Sequence, residues 1–580
     1  MKTAPNMDAD VEVKHGGTDS MKKCVVFAMM ALAIGCSPEA ETWRMAELSF
    51  ESVADYSTGG GDRVRLDVQF VHGQDTLVRP AFWDGENVFR VRFAPTEAGK
   101  WRWSTVCADD PSLDARKGVL RAKEYAGNLP IYRHGFIKAV PGKKYLMYAD
   151  GTPFFYLGDT HWTMYTEEFD EPGPHAGETG AQSHFKYIVD RRVQQGFTVY
   201  QSEPIDAKFN LEDGKVDAED IPGFRDADRY YQYIADAGLV HANAEFFFAS
   251  RLTKELAADD AALEALCRYW AARFGAFPVL WTLAQEVDND FYADRWPHHY
   301  DFHSNPWVKV AGYLHAADAY SHPLSAHQEN AVHTSVTGAG VEVERSLGVS
   351  AFLSEEVARK TGHSWWAAQW SPPLHETPEP AMVADYWDSP RPSVNYEGRY
   401  CYLWTKDFGE RAQGWITFLS GFCGYGYGAI DIWYYESTYD ASGPSYDGVE
   451  TITAEDKATP WNISLEFPSA LQMRHLRSLL ESFDWWNLVP VIPGDAPFQD
   501  ASGAAVCAHT PERYLLYFYA PNTLSGSLTG LAPGSSQEAS WYNPRSGEFQ
   551  ATVQMITRPD GTLVLPEKPD PQDWVLVIDL

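Results

Sequence analysis

FFYLGDTHWTMYTEEFDEPGPHAGETGAQSHFKYIVDRRVQQGFTVYQ, residues 154–201, carries the pattern that decides the fold. It opens on an apolar run, Phe154 to Gly158, and closes on another, Phe197 to Gln201, with the amphipathic segment Phe185 to Gln195 between them. Runs this apolar read as strands buried on both faces, and the helical spacing between them reads as a crossover. Working outward, strand-like runs recur at Val240 to Phe247, Val279 to Leu283, Leu324 to His327, Ala351 to Ser354, Pro392 to Tyr396 and Gly424 to Asp431. Helical patterns fall at Asp226 to Ala237, Ala261 to Phe274, Trp307 to Tyr320 and Gly409 to Leu419. Eight alternations predict a parallel (β/α)8 TIM barrel over residues 125–483, ending with a helix at Ala470 to Ser482. The sixth unit is the least regular of the eight.

The flanks read differently. Over residues 42–124, alternating runs such as Val64 to Val71 and Val88 to Phe93 are separated by Gly-rich and Asp-rich turns, which predicts an N-terminal β-sandwich. Short strands return over 484–580, at Tyr514 to Tyr519, Ser540 to Tyr542 and Trp574 to Ile578, with turns at Asn543-Pro544 and Pro559-Asp560-Gly561. A second β-sandwich is expected there. The expected fold class is multidomain α/β, in keeping with a chain of 580 residues, too long for one core.

Hydrophobic residues make up 44% and charged residues 22%, a globular balance. The net charge of −33 disfavours nucleic acid, whose phosphates are bound by Lys and Arg. Residues 1–41 are read as leader and linker. Met21 to Cys36, MKKCVVFAMMALAIGC, has a basic head and an apolar run too short to span a bilayer. It resembles a lipoprotein signal in which Ala33-Ile34-Gly35-Cys36 is the lipobox and Cys36 the lipidated residue, with Met21 as an alternative start to Met1. The expected location is the bacterial periplasm or outer-membrane surface, with membrane contact only through that anchor. Seven cysteines show no CxxC pair and no zinc-ligand spacing, so no metal or other cofactor is expected. Cys401 and Cys423 are one possible pair, which spacing leaves open, as it does the oligomeric state.

In a barrel of this kind chemistry sits where the strands end, because the interior below is packed. The ends here are rich in carboxylates: Gly158-Asp159-Thr160-His161-Trp162, Gln201-Ser202-Glu203, Gln285-Glu286-Val287-Asp288, His327-Gln328-Glu329, Glu355-Glu356 and Asn395-Tyr396-Glu397. Two carboxyl groups facing each other are the simplest apparatus for cleaving a glycosidic bond, one protonating the leaving oxygen and the other attacking the anomeric carbon or activating water. Glu286 on the fourth strand and Glu397 on the seventh are the candidate pair. An abundance of aromatic residues, 21 Trp and 31 Tyr, suits either a core or a sugar-stacking surface.

The stretches TWRMAELSFES (42–52), DGTPFFYLGDTHW (150–162), RRVQQGFTVYQ (191–201), PVLWTLAQE (278–286), PSVNYE (392–397) and GWITFLSGFCGYGYGAIDIW (414–433) resemble the apiosidase-like glycoside hydrolases of the retaining barrel clan. That family carries an N-terminal β-sandwich and a C-terminal domain once labelled collagen-binding. The resemblance implies Glu286 as general acid/base and Glu397 as nucleophile, acting on a plant or algal carbohydrate, with exo action. It implies that Asp159, Trp162, His327 and Tyr427 line the subsite, and with His161, Gln201, Glu356 and Trp433 they make up the expected substrate-binding set. The chain departs from the family at Ala284-Gln285-Glu286, where glycines and an aspartate are usual and the wider clan has Asn before the acid; apiose as substrate does not follow.

Plainer readings stand beside these. Glu286 and Glu397 also fit structural salt bridges, Asp288 or Asp290 fits the acid, and Glu355 or Glu356 fits a rival nucleophile. Asp159-Thr160-His161 also fits a cap, and Trp365-Trp366 either a stacking platform or a hydrophobic plug. No HExxH, GxSxG or GxxxxGK[ST] motif is present at a suitable position. The alternative functions are a non-catalytic surface glycan-binding lipoprotein and, from the terminal domain's label alone, a collagen-directed protein.

Overall fold

The computed structural model describes residues 39–580 apart from 204–206, 244–251, 285–305, 326, 328–366, 371–382, 384–386, 389–390, 438–442, 446–449, 493, 501–504 and 520–525. The leader with Cys36 therefore lies outside the described residues.

Eight strands make one parallel sheet: β1 (Tyr156–His161), β2 (Val199–Ser202), β3 (Val240–Asn243), β4 (Val279–Thr282), β5 (Leu324–Ser325), β6 (Ala367–Trp370), β7 (Ser393–Glu397) and β8 (Gly424–Tyr427). Their order is β5-β4-β3-β2-β1-β8-β7-β6, with every pairing parallel. The first and last strands are thus neighbours, and among the described residues the sheet ends at β5 and β6. Helices α1 (His184–Gln194), α2 (Ile221–Asp236), α3 (Asp260–Phe274) and α4 (Trp307–Ala317) connect successive strands, α5 (Asp407–Leu419) lies between β7 and β8, and α6 (Pro468–Leu480) follows.

Local chemistry sets these helix starts. The Ser183 side chain accepts from the Lys186 amide at the head of α1, and Asp259 accepts from the Ala262 amide at the head of α3. Each satisfies an amide that has no partner inside the helix. One strand lies where the sequence pattern marked none. On the side of β7 away from β8 the paired strand is Ala367–Trp370; the run read from the sequence as the sixth strand, Ala351–Ser354, lies outside the described residues. Ala367–Trp370 is a run of four residues, too short for its periodicity to mark it as a strand.

The strands' alternation decides which side chains face the sheet's inner surface. Tyr156 donates its hydroxyl hydrogen to Gln201 Oε1 at 2.9 Å, and Gln201 Nε2 donates to the Tyr396 carbonyl at 2.6 Å. Glycines make room for this cross-link. A Cβ on Gly158 would stand 2.1 Å from Gln201 Oε1, and one on Gly426 only 2.0 Å from the Tyr396 carbonyl oxygen.

Strand-rich regions flank the parallel sheet. Before it, a five-stranded sheet (Glu39–Glu41, Lys117–Lys123, Gly99–Val106, Asp67–His72, Asp75–Pro80, in spatial order) accompanies a three-stranded one (Ala46–Glu51, Val88–Phe93, Phe82–Trp83). They share a core in which Phe70 and Phe93 stack at 3.9 Å. After it come a seven-stranded sheet, centred on Arg513–Phe518 and Trp574–Asp579, and a three-stranded one of Phe498–Asp500, Gly526–Leu528 and Leu563–Val564. Their core includes Leu516, Trp541, Leu563 and Leu576.

Buried ion pairs join these parts. Asp228 on α2 is held by Arg92 from the N-terminal strands at 2.6 Å and by Arg273 on α3 at 2.7 Å. Burial works against that carboxylate's charge, and the two guanidiniums more than offset it, so its pKa is lowered. At the other flank Arg411 on α5 grips Asp573 through two 2.8 Å bonds, and Tyr517 donates to the same carboxylate at 2.9 Å. All five of Cys107, Cys267, Cys401, Cys423 and Cys507 are buried free thiols, so Cys401 and Cys423 are not paired.

Candidate active site

Glu397 is the last residue of β7 and only 2% exposed. Two groups converge on its carboxylate. Trp162, directly after β1, donates its indole N–H toward Oε1 at 3.2 Å, and His327, just past β5, places Nε2 3.2 Å from Oε2. Three strand ends thus meet at one carboxyl group. Burial disfavours a charged imidazole, pulling His327 down to about 3.

The backbone places β4 beside this cluster. The Leu283 amide donates to Ser325 O at 2.8 Å and the His327 amide to Ala284 O at 3.2 Å. Ala284 therefore runs alongside the residue that touches Glu397. Glu286, two positions on, lies outside the described residues, as do Asp288, Asp290, Gln328, Glu329, Glu355, Glu356, Trp365 and Trp366.

The Trp162 indole N–H is shared with Tyr400, whose hydroxyl accepts it at 2.9 Å. Tyr400 stacks on Trp433 (4.6 Å between centroids, 14° between planes) and on Trp404 (5.0 Å, 20°). Trp404 and Trp433 are half-buried. The Trp162 amide also donates to the Trp433 carbonyl at 2.8 Å, tying the end of β1 to the loop after β8. Two residues of the loops after β7 and β8, Tyr402 (φ 64°) and Asp431 (φ 57°), hold left-handed backbone that disfavours any side chain larger than glycine's. Asp431 accepts from the Glu436 amide at 2.7 Å and the Trp461 amide at 2.8 Å, which holds that loop in shape.

Other residues read from the sequence as substrate-binding are placed differently. Asp159 and His161 are strand residues whose side chains turn toward α1. Asp159 Oδ2 accepts from Arg192 Nε at 2.7 Å and lies 2.5 Å from His161 Nε2, while His161 Nδ1 lies 2.7 Å from Glu167. All four side chains are essentially buried. Burial raises the Asp159 pKa, and Arg192 and His161 outweigh it to give a net lowering. The same network raises His161 to about 9 against the opposing effect of burial. These residues brace the strand that leads into Trp162. Gln201 is the inner cross-link described above, and Tyr427 turns outward, its hydroxyl 3.0 Å from Ser469 Oγ on α6 and its ring under the Arg192 guanidinium. Of the sequence-derived set, the structure brings Trp162, His327 and Glu397 together, with Trp433 reached through Tyr400. The sequence reading missed Tyr400 and Trp404; the aromatic run Tyr400-Cys401-Tyr402-Leu403-Trp404 right after Glu397 is the signal that marks them.

Residues 140–487, more than half of the chain, match the family model described as the apiosidase-like catalytic domain. The chain belongs to the apiosidase-like family. It is a glycoside hydrolase, and its substrate is a carbohydrate. Residues 39–108 match a domain of unknown function, DUF5060, and residues 497–579 a domain described as a proposed collagen-binding domain of a collagenase. Among solved structures, a proposed glycoside hydrolase from Bacteroides vulgatus is 17% identical, with a TM-score of 0.63 over 94% of this chain and 100% of its own. A glycoside hydrolase family 5 structure from the same organism is 15% identical, with a TM-score of 0.56 over 78% of this chain and 94% of its own. A third, described as a glycoside hydrolase, is 15% identical, with a TM-score of 0.53 over 78% of this chain and 98% of its own. At these identities the likeness is one of fold. A search of curated proteins finds no match.

Among the described residues, no group of three or more His, Cys, Asp or Glu side chains is arranged to hold a metal ion, and no helix is long and apolar enough to cross a membrane.

Proposed function

We propose that this apiosidase-like enzyme is a retaining, exo-acting glycosidase that removes a sugar from a plant or algal polysaccharide, with Glu397 as nucleophile and Glu286 as acid/base. In this reading the parallel sheet closes into a (β/α)8 barrel between β5 and β6, with a β-sandwich on either side. The observation that carries it is the setting of Glu397, a carboxylate at a strand end, gripped by the Trp162 N–H and set against His327. Such a group is held in one orientation, as attack on an anomeric carbon requires. The His327 backbone bonds to Ala284, so the segment leading into Glu286 starts beside the same carboxylate.

Attack by Glu397 on the anomeric carbon forms a covalent glycosyl ester as Glu286 gives its proton to the leaving oxygen; Glu286 then takes a proton from a water whose oxygen attacks the anomeric carbon, breaking the bond to Glu397 and releasing the sugar with its configuration retained. That mechanism places the two carboxyl groups about 5–5.5 Å apart. The test is hydrolysis of pectic, hemicellulosic and algal oligosaccharides by Glu286→Ala and Glu397→Ala, with the anomeric configuration of the first product followed by NMR. Loss of nearly all turnover in both variants with folding intact supports the assignment. Full activity in either, or an inverted first product, overturns it.

Anchoring through a lipid on Cys36 belongs to the same proposal. It predicts that Cys36→Ser releases the protein from the membrane fraction of the expressing cells and that the unaltered chain incorporates labelled palmitate.

A further inference from the structure

Helix α5 is packed on all sides, and an apolar stripe is the ordinary way to bury such a surface. Glu410, Gln413 and Thr417 are nevertheless 0%, 1% and 0% exposed. Their spacing, i, i+3 and i+7, sets them on one face of the helix. Thr417 and Gln413 reach the segment that carries Glu397, and Glu410 reaches it only through Tyr425. Thr417 Oγ1 accepts from Asn395 Nδ2 at 3.0 Å, two residues before Glu397. Gln413 Oε1 accepts from the Arg399 amide at 3.0 Å, two residues after it. Tyr425 on β8 joins the other two: its hydroxyl accepts from Gln413 Nε2 and donates to Glu410 Oε1, both at 2.6 Å. Space here is fully used, since a Cβ on Gly398 would stand 2.3 Å from Gln413 Nε2.

We infer that this buried polar face of α5 is a positioning device for the catalytic carboxylate, holding the Asn395 side chain before Glu397 and the Arg399 amide after it so that the Glu397 side chain is kept toward Trp162 and His327. The inference rests on Glu397 being the nucleophile. Burial costs polar groups free energy that their hydrogen bonds only roughly recover, so apolar side chains of similar size would serve packing equally well. What apolar groups cannot do is fix the Arg399 amide and the Asn395 side chain in direction. Burial also pushes the Glu410 carboxyl well above the ordinary carboxylate range, which favours a neutral acid that needs no counter-ion.

The experiment uses the full chain and, as probe, the most rapidly cleaved 4-nitrophenyl glycoside in a panel of pentosides and hexosides. Tyr425→Phe removes one hydroxyl and nothing else, and it should lower kcat about tenfold or more with KM nearly unchanged, the signature of a group misplaced by a fraction of an ångström. Glu410→Gln keeps an oxygen to accept from Tyr425 and should turn over within about threefold of the unaltered enzyme, whereas Glu410→Leu should fall with Tyr425→Phe. Melting temperatures read stability separately, and if Glu410→Leu fails to fold, Tyr425→Phe alone decides. Unchanged kcat in folded Tyr425→Phe overturns the inference, as does Glu410→Gln failing as badly as Glu410→Leu. Glu397→Gln, run alongside, separates the two levels: if it is inactive while Tyr425→Phe is unchanged, only the positioning role falls. If Glu397→Gln keeps full activity, the nucleophile assignment falls and the inference with it.

Discussion

Alkaline pH should loosen the end of β1 through His161. That imidazole is buried between Asp159 at 2.5 Å and Glu167 at 2.7 Å. Burial lowers an imidazole's pKa, but the two carboxylates more than offset it here, raising the value from 6.5 to about 9. Because the folded value lies above the unfolded one, protonation stabilises the fold: the contribution is complete below about pH 6.5 and is lost as the pH rises through about 9. The gap, 9 − 6.5 or about 2.5 units, corresponds to about 3 kcal/mol. The assay is the thermal unfolding midpoint by circular dichroism from pH 6 to pH 10, for the unaltered protein and for His161→Asn, whose amide does not titrate. The unaltered protein should be the more stable at pH 6, and the two curves should converge by about pH 10. Since His161 immediately precedes Trp162, turnover should decline over the same interval. Parallel curves across the whole range would refute the reasoning, because the other groups in the network are common to both proteins.

Three further outcomes are expected. Trp162→Phe keeps a ring in place and deletes the N–H shared by Glu397 and Tyr400; losing a hydrogen bond to a charged group costs about 1.5 kcal/mol, so kcat/KM should fall about tenfold, measured by steady-state kinetics. Gly426→Ala forces a methyl group to within 2.0 Å of the Tyr396 carbonyl, and a lower melting temperature should accompany reduced turnover, because that carbonyl is one residue from Glu397. Asp228→Ala removes the carboxylate that Arg92 and Arg273 share, leaving each its second partner, Glu47 and Asp84, and denaturant unfolding should show a loss of about 2–3 kcal/mol.

Local periodicity made much of the architecture legible. The run from Phe154 to Gln201 spells strand, helix and strand, and it holds β1, α1 and all of β2 but its last residue. Apolar runs fully buried between helices leave an unmistakable trace, as do the short alternating strands of the flanks. The strand Ala367–Trp370 was not legible, since so short a run does not stand out until it hydrogen-bonds to β7. Glu397 stood out as a carboxylate ending an apolar strand.

The sequence by itself determined the succession of elements, the acidic and uncharged residues clustered where strands end, and the family to which these motifs point. Tertiary structure alone decided what each of those side chains does. Along a strand, neighbouring residues face opposite ways, so Asp159 and His161 brace α1 while Trp162, one residue on, reaches Glu397. Tyr427 turns to α6 and Tyr400 to the carboxylate's donor for similar reasons of direction. Spacing records periodicity within an element; the partner across 235 residues of chain between Trp162 and Glu397 exists only once the sheet has brought β1 and β7 onto either side of β8.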